Sequence, residues 1–477
     1  MRIANDKGIA LVLALFLMAA MSVIGASLMF LSQTEVYSSM NYRLMSQARY
    51  GAESGIHKTA NFILYSYTPP SNTGADLITN YDTTKSPVTL VGSTAPIVLS
   101  ASAAKASNYP VAAVQTAFNA AVAGTIPAGS VSVAYASYAT LMSMQQIDVY
   151  GGGVQTIQTW QVTSLGSISA GRTAQIEVSA VLETPKIPAQ TYAAFATAGT
   201  CGALNFNSAQ TRTDSYDSTA LVGGNPALTT AGGNVGTNGN LSEGGNATIG
   251  GTLASPRVGV GTCSAGNVDA LSSSGGASVN GHSPPTQADI VTLPAAVSLP
   301  APTVPAGVPT SAYNGNNQIL LNGASVGDVT VNANSTLTLG AVGVTSTINI
   351  NSIKLNGNAT LQILGTVILN VVGTGQATPI DITGGSVANL SFDPSTFQVM
   401  YAGSGSIKIN GGSHTTAMIY APNASATMSG NADFYGSIVA ATFSDTGGGK
   451  IHYDRHLASS FFMAGNSMMS SFSWKKY

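Results

Sequence analysis

From Ile9 to Leu31 the chain carries no charged residue. That run is about 23 residues long, and about 20 suffice to cross the hydrocarbon core as a helix. Small residues (Ala14, Ala19, Ala20, Ser22, Gly25, Ala26, Ser27) alternate with Leu, Met and Phe, the composition of helices that approach other helices closely. The apolar stripe then continues through Val36, Met40, Leu44, Ala48, Ala52, Ile56, Ala60 and Ile63 at helical spacing, with Gln, Glu, Asn, Arg and His on the other faces. Proline is absent until Pro69-Pro70, which closes the segment. The pattern predicts one helix of about 57 residues within 9–68, roughly 85 Å long at 1.5 Å per residue. Leu13, Leu17, Gly25, Val36, Met40, Leu44, Ala48, Ala52 and Ile56 are its candidate membrane- and filament-packing positions. Arg2 and Lys7 precede the run and no base follows until Arg43, so the N-terminal flank is expected to stay cytoplasmic and the rest to lie outside. A cleaved secretory signal would need a shorter apolar region, although Ile24-Gly25-Ala26 is a passable site. A plain anchor leaves the amphipathic second half unexplained.

Residues 69–185 alternate short elements: a helix over 111–122, strands over 131–136 and 157–164, and a clear strand over 174–183. They read as a small α+β head. Beyond residue 185 the composition shifts to Gly, Asn, Thr and Ser with short aliphatic pairs, and Gly-Asn-Ala recurs at 245–247, 357–359 and 430–432. Brief alternating strands lie between, among them 329–331, 337–339, 348–350, 361–363 and 380–382. This punctuation suits a β-solenoid of the right-handed parallel β-helix kind, in which each coil buries its aliphatics against the next and Asn tolerates the corners; a β-sandwich is the competing arrangement. The expected division is a first solenoid segment at 186–293, a Pro-rich linker at 294–312, the main solenoid at 313–460 and a C-terminal tail at 461–477. The fold class is thus mainly β behind a long N-terminal helix.

Charged residues make up 8% of the chain against 44% hydrophobic, with 53 Gly and a net charge of −2. Soluble domains carry about a quarter charged residues, so the surface is built of neutral hydrogen-bonding groups. Near-zero net charge excludes an electrostatic footprint for nucleic acid. Two cysteines, Cys201 and Cys263, are compatible with one disulfide in an oxidising compartment, or with two unrelated buried thiols.

Catalysis on a β-helix needs clustered carboxylates or a base beside a groove. The chain has only Glu35, Glu53, Glu177, Glu183 and Glu243, and its Asp residues are scattered, so no catalytic residue, metal site or cofactor is expected. His452 and His456 stand four apart, a metal spacing on a helix, but the strand character of 450–453 assigns them structural roles. Asp214 and Asp217 are expected in Asx-turns rather than a Ca²⁺ loop.

The stretch Lys7-Gly8-Ile9-Ala10-Leu11-Val12-Leu13-Ala14-Leu15, with Gln47-Ala48-Arg49-Tyr50-Gly51-Ala52-Glu53-Ser54-Gly55-Ile56, resembles the N-terminal domain of PilX-type pilus assembly proteins. The resemblance implies a leader at 1–8, cleavage by prepilin peptidase between Gly8 and Ile9, N-methylation of Ile9, and a stalk at 9–68 that packs among other pilins or pseudopilins after residing in inner-membrane lipid. Major pilins carry Glu at the fifth mature position, where this chain has Leu13. That departure implies a non-enzymatic minor subunit with a tip or initiation role in a type IV pilus or type II secretion machine, possible surface adhesion included. The segments 417–424, 430–437 and 452–454, with 214–218, resemble a domain of unknown function that follows PilX-type N-termini. The alternative is a membrane-anchored β-helical adhesin or envelope protein that never polymerises.

Overall fold

The computed structural model describes residues 7–150, 154–389, 391–410, 415–431, 433–465 and 467–476. The chain divides into two compact units. The first comprises residues up to Ile147, Gln155–Lys186 and the chain from Ala464; the second comprises Asp148–Val154 and Ile187–Met463.

In the first unit, helix α1 spans Lys7–Tyr65, 59 residues, about 88 Å at the helical rise. Its C-terminal half packs on a six-stranded sheet whose strands are neighbours in the order Val98–Ser100, Val131–Asp148, Val154–Ser169, Thr173–Glu183, Met468–Lys476, with Ala123–Ala128 beside Val131–Asp148. Helix α2, Ala112–Val122, contributes Phe118 and Val122 to the same core. Small residues set how closely helix and sheet approach. A Cβ on Gly166 would stand 2.0 Å from the Ala48 carbonyl oxygen, and one on Gly55 would stand 2.1 Å from Ser164 Oγ. Below 3.0 Å a neighbour has to move, and Ala48 offers only backbone.

The segment expected as a tail is part of this sheet. Met468–Lys476 runs antiparallel to Thr173–Glu183, with Phe472 opposite Ala180 and Trp474 opposite Val178, and the Arg49 guanidinium lies 5.9 Å from the Trp474 ring centroid. The second unit is therefore an insertion between two paired strands.

The second unit is a 22-stranded sheet in which every described pairing is parallel. Its register builds ladders of apolar side chains. One runs Tyr313, Val329, Ile353, Ile380, Ile407, Ala426, Phe443, Leu204, Leu241, Leu271, each opposite the next. A second runs Ile348, Leu369, Val399, Ile419, Ile438, Ala194, Val235, Leu253, Ile290. Alternate residues face inward because strand side chains repeat every two positions, and each fully buried aliphatic contributes about 1.5–3 kcal/mol.

The ladders do not follow chain order. Asp433–Asp445 pairs with Ala194–Ala196 and Leu204–Phe206, so the later strands join the earlier ones and Ile290–Thr292 ends the series. The chain between residues 292 and 312 must therefore return along the outside. Its five prolines, at 294, 300, 302, 305 and 309, lack the N–H a ladder needs. Asn238 holds it instead, exchanging bonds of 2.8 and 2.9 Å with the Val297 backbone, and Tyr420 donates to the Pro300 carbonyl at 2.7 Å. At the corners, Asn280, Asn317, Asn334 and Asn358 adopt φ between 52° and 59°, the left-handed region that Asn tolerates better than other non-glycine residues.

Candidate functional site

Helix α1 changes environment along its length. Gly8 and Ile9 stand in its first turn. Ile9 is 69% exposed, Leu13 and Leu17 are also exposed, and a Cβ on Gly25 would meet nothing within 4 Å. Exposure persists through Val36 to Met40 at 44%, and then Leu44 is buried and Ala48 is at 0%. The apolar half is long and apolar enough to cross a membrane. Two of its hydroxyls bond within the helix, Ser22 donating to the Met18 carbonyl and Thr34 to that of Phe30, each at 2.8 Å, the partner a hydroxyl finds where water is absent. Leu44, Ala48, Ala52 and Ile56, expected among the membrane- and filament-packing positions, are instead enclosed in the core of their own head. The apolar stripe continues across this boundary because both environments ask for apolar side chains.

Cys201 and Cys263 are bonded, with Cα atoms 5.7 Å apart across a separation of 62 residues. The bridge ties the loop ahead of Leu204–Phe206 to the hairpin that precedes Leu271–Ser273, where Gly261 N–H donates to the Leu271 carbonyl at 2.9 Å.

A chain with few charges gathers several where Arg212–Tyr216 pairs with Lys450–Asp454. Register puts Tyr435, His452 and Asp214 in one column and Asp433, Lys450 and Arg212 in the adjacent one. His452 is buried, its Nδ1 bonded to Asp214 and its Nε2 3.4 Å from Asp433. Lys450 Nζ lies 3.2 Å from Asp433, Arg212 Nε lies 3.4 Å from Asp214, and the Tyr435 ring sits 4.5 Å from the imidazole. Burial pushes the Asp433 carboxyl up, but the Lys450 ammonium and His452 outweigh it and hold the group below its ordinary value. His452 thus stands on a strand, Lys450–Asp454, while His456 lies apart on the turn Arg455–Ser459. Asp217 forms an Asx-turn with Thr219; Asp214 does not, since it is engaged by His452. Among the described residues no group of three or more His, Cys, Asp or Glu is placed to hold a metal ion.

Two carboxyls that the sequence reading passed over as scattered are buried. Asp454 is buried, and burial, with Asp393 nearby, raises its pKa although Oδ1 accepts from the backbone N–H of Ser218 and His456. Glu243 is 2% exposed and burial pushes it up to about 7. The alternation Leu241-Ser242-Glu243 was the available signal, since it puts the carboxylate on the same side as a core leucine.

Residues 7–57 match the family described as PilX N-terminal, and residues 311–460 match a domain of unknown function, DUF7305. No curated protein matches the chain. Among solved structures, the competence-associated pilin ComZ from Thermus thermophilus aligns at 12% identity over 91% of this chain and 98% of its own, with a TM-score of 0.23, too loose a superposition to carry an argument. The apolar helix fits a membrane-anchored pilus component. Residues 7–57 are thus similar to PilX-type N-terminal domains, and residues 311–460 to a domain whose function is unknown.

Proposed function

We propose that this chain is a non-enzymatic minor pilin-like subunit that acts in type IV pilus assembly, at the tip or in the initiation complex. The observation that carries the reading is the divided helix: within the segment similar to PilX N-termini, α1 is uncovered from Ile9 to Met40 and then buries one face through Leu44, Ala48, Ala52 and Ile56. An uncovered apolar half requires lipid or other helices, and a pilin stalk finds first one and then the other. Prepilin peptidase would cut between Gly8 and Ile9 and Ile9 would be methylated. Leu13 supplies no carboxylate to pair with a neighbour's N-terminal amine, which argues for a minor position over the repeating body of a fibre. The remainder would lie outside the inner membrane, its parallel sheet wound as a solenoid and presented at the cell surface.

Intact mass and N-terminal sequencing of the mature chain from envelope and sheared-filament fractions test this. A chain beginning at methylated Ile9 and present in filaments is expected. A chain still beginning at Met1, or cut near Ala26, overturns the proposal and favours an anchored β-helical adhesin. Substituting Gly8 by a bulky residue separates the same two readings: it abolishes pilus function in the first and leaves an anchored protein working in the second.

A further inference from the structure

The turn between Val154–Ser169 and Thr173–Glu183 reaches down α1 into its uncovered half. Successive contacts fix the direction. Ser164 stands against Gly55, Gly166 against the backbone of Ala48 and Ala52, and Arg172 against Tyr37 and Asn41. Each step along the chain thus lies further down the helix, and the last one passes Leu44, where burial of α1 begins. The Arg172 guanidinium lies 4.6 Å from the Tyr37 ring centroid, and its Nη1 donates to Asn41 Oδ1 at 3.5 Å. Arg172 is still exposed, and beside it the turn faces open space: a Cβ on Gly171, where φ is 73°, would meet nothing within 4 Å.

The helix sets the height of this turn above a bilayer. From Leu31, the end of the uncharged run, α1 rises about 9 Å to Tyr37 and about 15 Å to Asn41. Headgroups extend about 5–7 Å beyond the hydrocarbon core, and the potential of an anionic surface persists for about 8 Å more at physiological salt. Arg172 therefore stands within that field, and its long side chain, with a helix tilt of about 20°, lets it descend to the phosphates. Its planar fork of donors suits a phosphate, and an exposed Tyr is at home at the headgroup level. No carboxylate opposes it from the turn, Ser169–Thr173, and Glu35 lies about 160° round the helix from Tyr37.

We infer that this turn is a membrane-contact site, at which Arg172, carried on Tyr37, engages the phosphates of anionic phospholipid on the side where α1 emerges. The inference rests on α1 spanning a membrane, as proposed above.

The test is hydrogen exchange on the full-length chain in lipid nanodiscs of phosphatidylcholine, with and without phosphatidylglycerol. Amides of the turn at 169–173 should exchange about fivefold more slowly with phosphatidylglycerol present, the effect of one basic residue at an anionic surface, and high salt should remove the difference. Arg172→Gln should abolish it and Arg172→Lys should keep part of it. Each variant is compared between the two lipid compositions, so loss of the brace on Tyr37 cancels, and an unchanged tryptophan melting transition shows that the variant folds. Equal exchange in both discs, a lipid difference that survives in Arg172→Gln, or equal slowing by inorganic phosphate over phosphatidylcholine would each overturn the inference. A chain that does not co-elute with the discs overturns the membrane reading as well, whereas one that co-elutes with a turn indifferent to lipid overturns this inference alone.

Discussion

The antiparallel sheet and the parallel sheet of this chain hold together by different means. In the first unit one helix crosses one sheet, and the fit depends on a few positions where backbone or hydroxyl stands against glycine, as at Gly166 and Gly55. In the second, the same inward position is refilled strand after strand along the apolar ladders. The turns differ in the same way. Positive φ in the first unit falls on glycines such as Gly129 and Gly171, whereas the second unit also uses Asn280, Asn317, Asn334 and Asn358. A fold built on one interface concentrates its vulnerability; a long parallel sheet with repeated apolar ladders spreads it over many strands. Both tryptophans, Trp160 and Trp474, belong to the first unit, so tryptophan fluorescence reads that unit and hydrogen exchange can follow the other.

The largest effect should come where the two segments of the parallel sheet meet. Phe443 is buried between Ala426 and Leu204 and lies 5.7 Å from the Phe206 ring. Phe443→Ala should cost about 3–5 kcal/mol, seen as faster amide exchange in the adjoining coils with the tryptophan transition unmoved. An equal fall in the tryptophan transition would show one cooperative fold and break the comparison.

Next in size is a pH dependence peculiar to the second unit. Glu243 rises from its ordinary 4.5 to about 7 through burial, with Asp289 adding repulsion and Ser273 opposing it. A carboxyl that is a weaker acid when folded retains more protons in the native state, so stability falls as pH rises from about 4.5 to about 7 and levels off above. The full difference is on the order of 3 kcal/mol. It should be visible by exchange or denaturant titration of the second unit at pH 5 and pH 8, and absent in Glu243→Gln. A first unit that follows the same curve would assign the titration elsewhere.

Within the first unit, Gly166→Ala should cost about 2 kcal/mol and Gly55→Ala about 1 kcal/mol, because overpacking is paid in displaced neighbours. The first forces the Ala48 backbone to move, while the second meets the Ser164 and Ser137 hydroxyls, which can rotate away. Denaturation followed by tryptophan fluorescence checks the order, and equal costs would mean the helix shifts as freely as a side chain.

What could be read in the sequence was local. The period-four stripe of α1, the helix read at 111–122 and found at Ala112–Val122, and the alternating strands at 174–183 and 329–331 all state themselves within a few residues, as do Asn corners such as Asn358. What could not be read depends on distant partners. Met468–Lys476 has short alternation and a basic end, and only Thr173–Glu183, far back in the chain, makes it a strand. Asp214 meets His452 across 238 residues, and no spacing rule reaches that far. The inverted coil order has the same cause, since pairing of 433–445 with 194–206 leaves no mark on either segment alone. Of the candidate sites, the exposed half of α1 was visible as an uncharged run, but the cluster of His452 with Asp214 and Asp433 was not, because its members come from strands far apart in the chain.

The smallest effect tests the corners. Asn358 follows Gly357 and holds φ at 56°, and Asn334, one coil away, holds 59°; Asn334 N–H donates to the Gly357 carbonyl at 3.2 Å. Side chains other than Asn and Gly lose about 1–2 kcal/mol in this region through the clash of Cβ with the following carbonyl. Asn358→Ala should therefore cost about 1 kcal/mol, and Asn358→Gly close to nothing, since glycine's ease at the corner offsets its greater freedom in the unfolded chain. Exchange rates of the strand Ala359–Val371 read the difference directly. If alanine and glycine behave alike, the corner is held by the ladders on either side of it, and the second unit distributes even its turns; if they differ as expected, the asparagines set where each coil bends and the ladders only fill what the corners enclose.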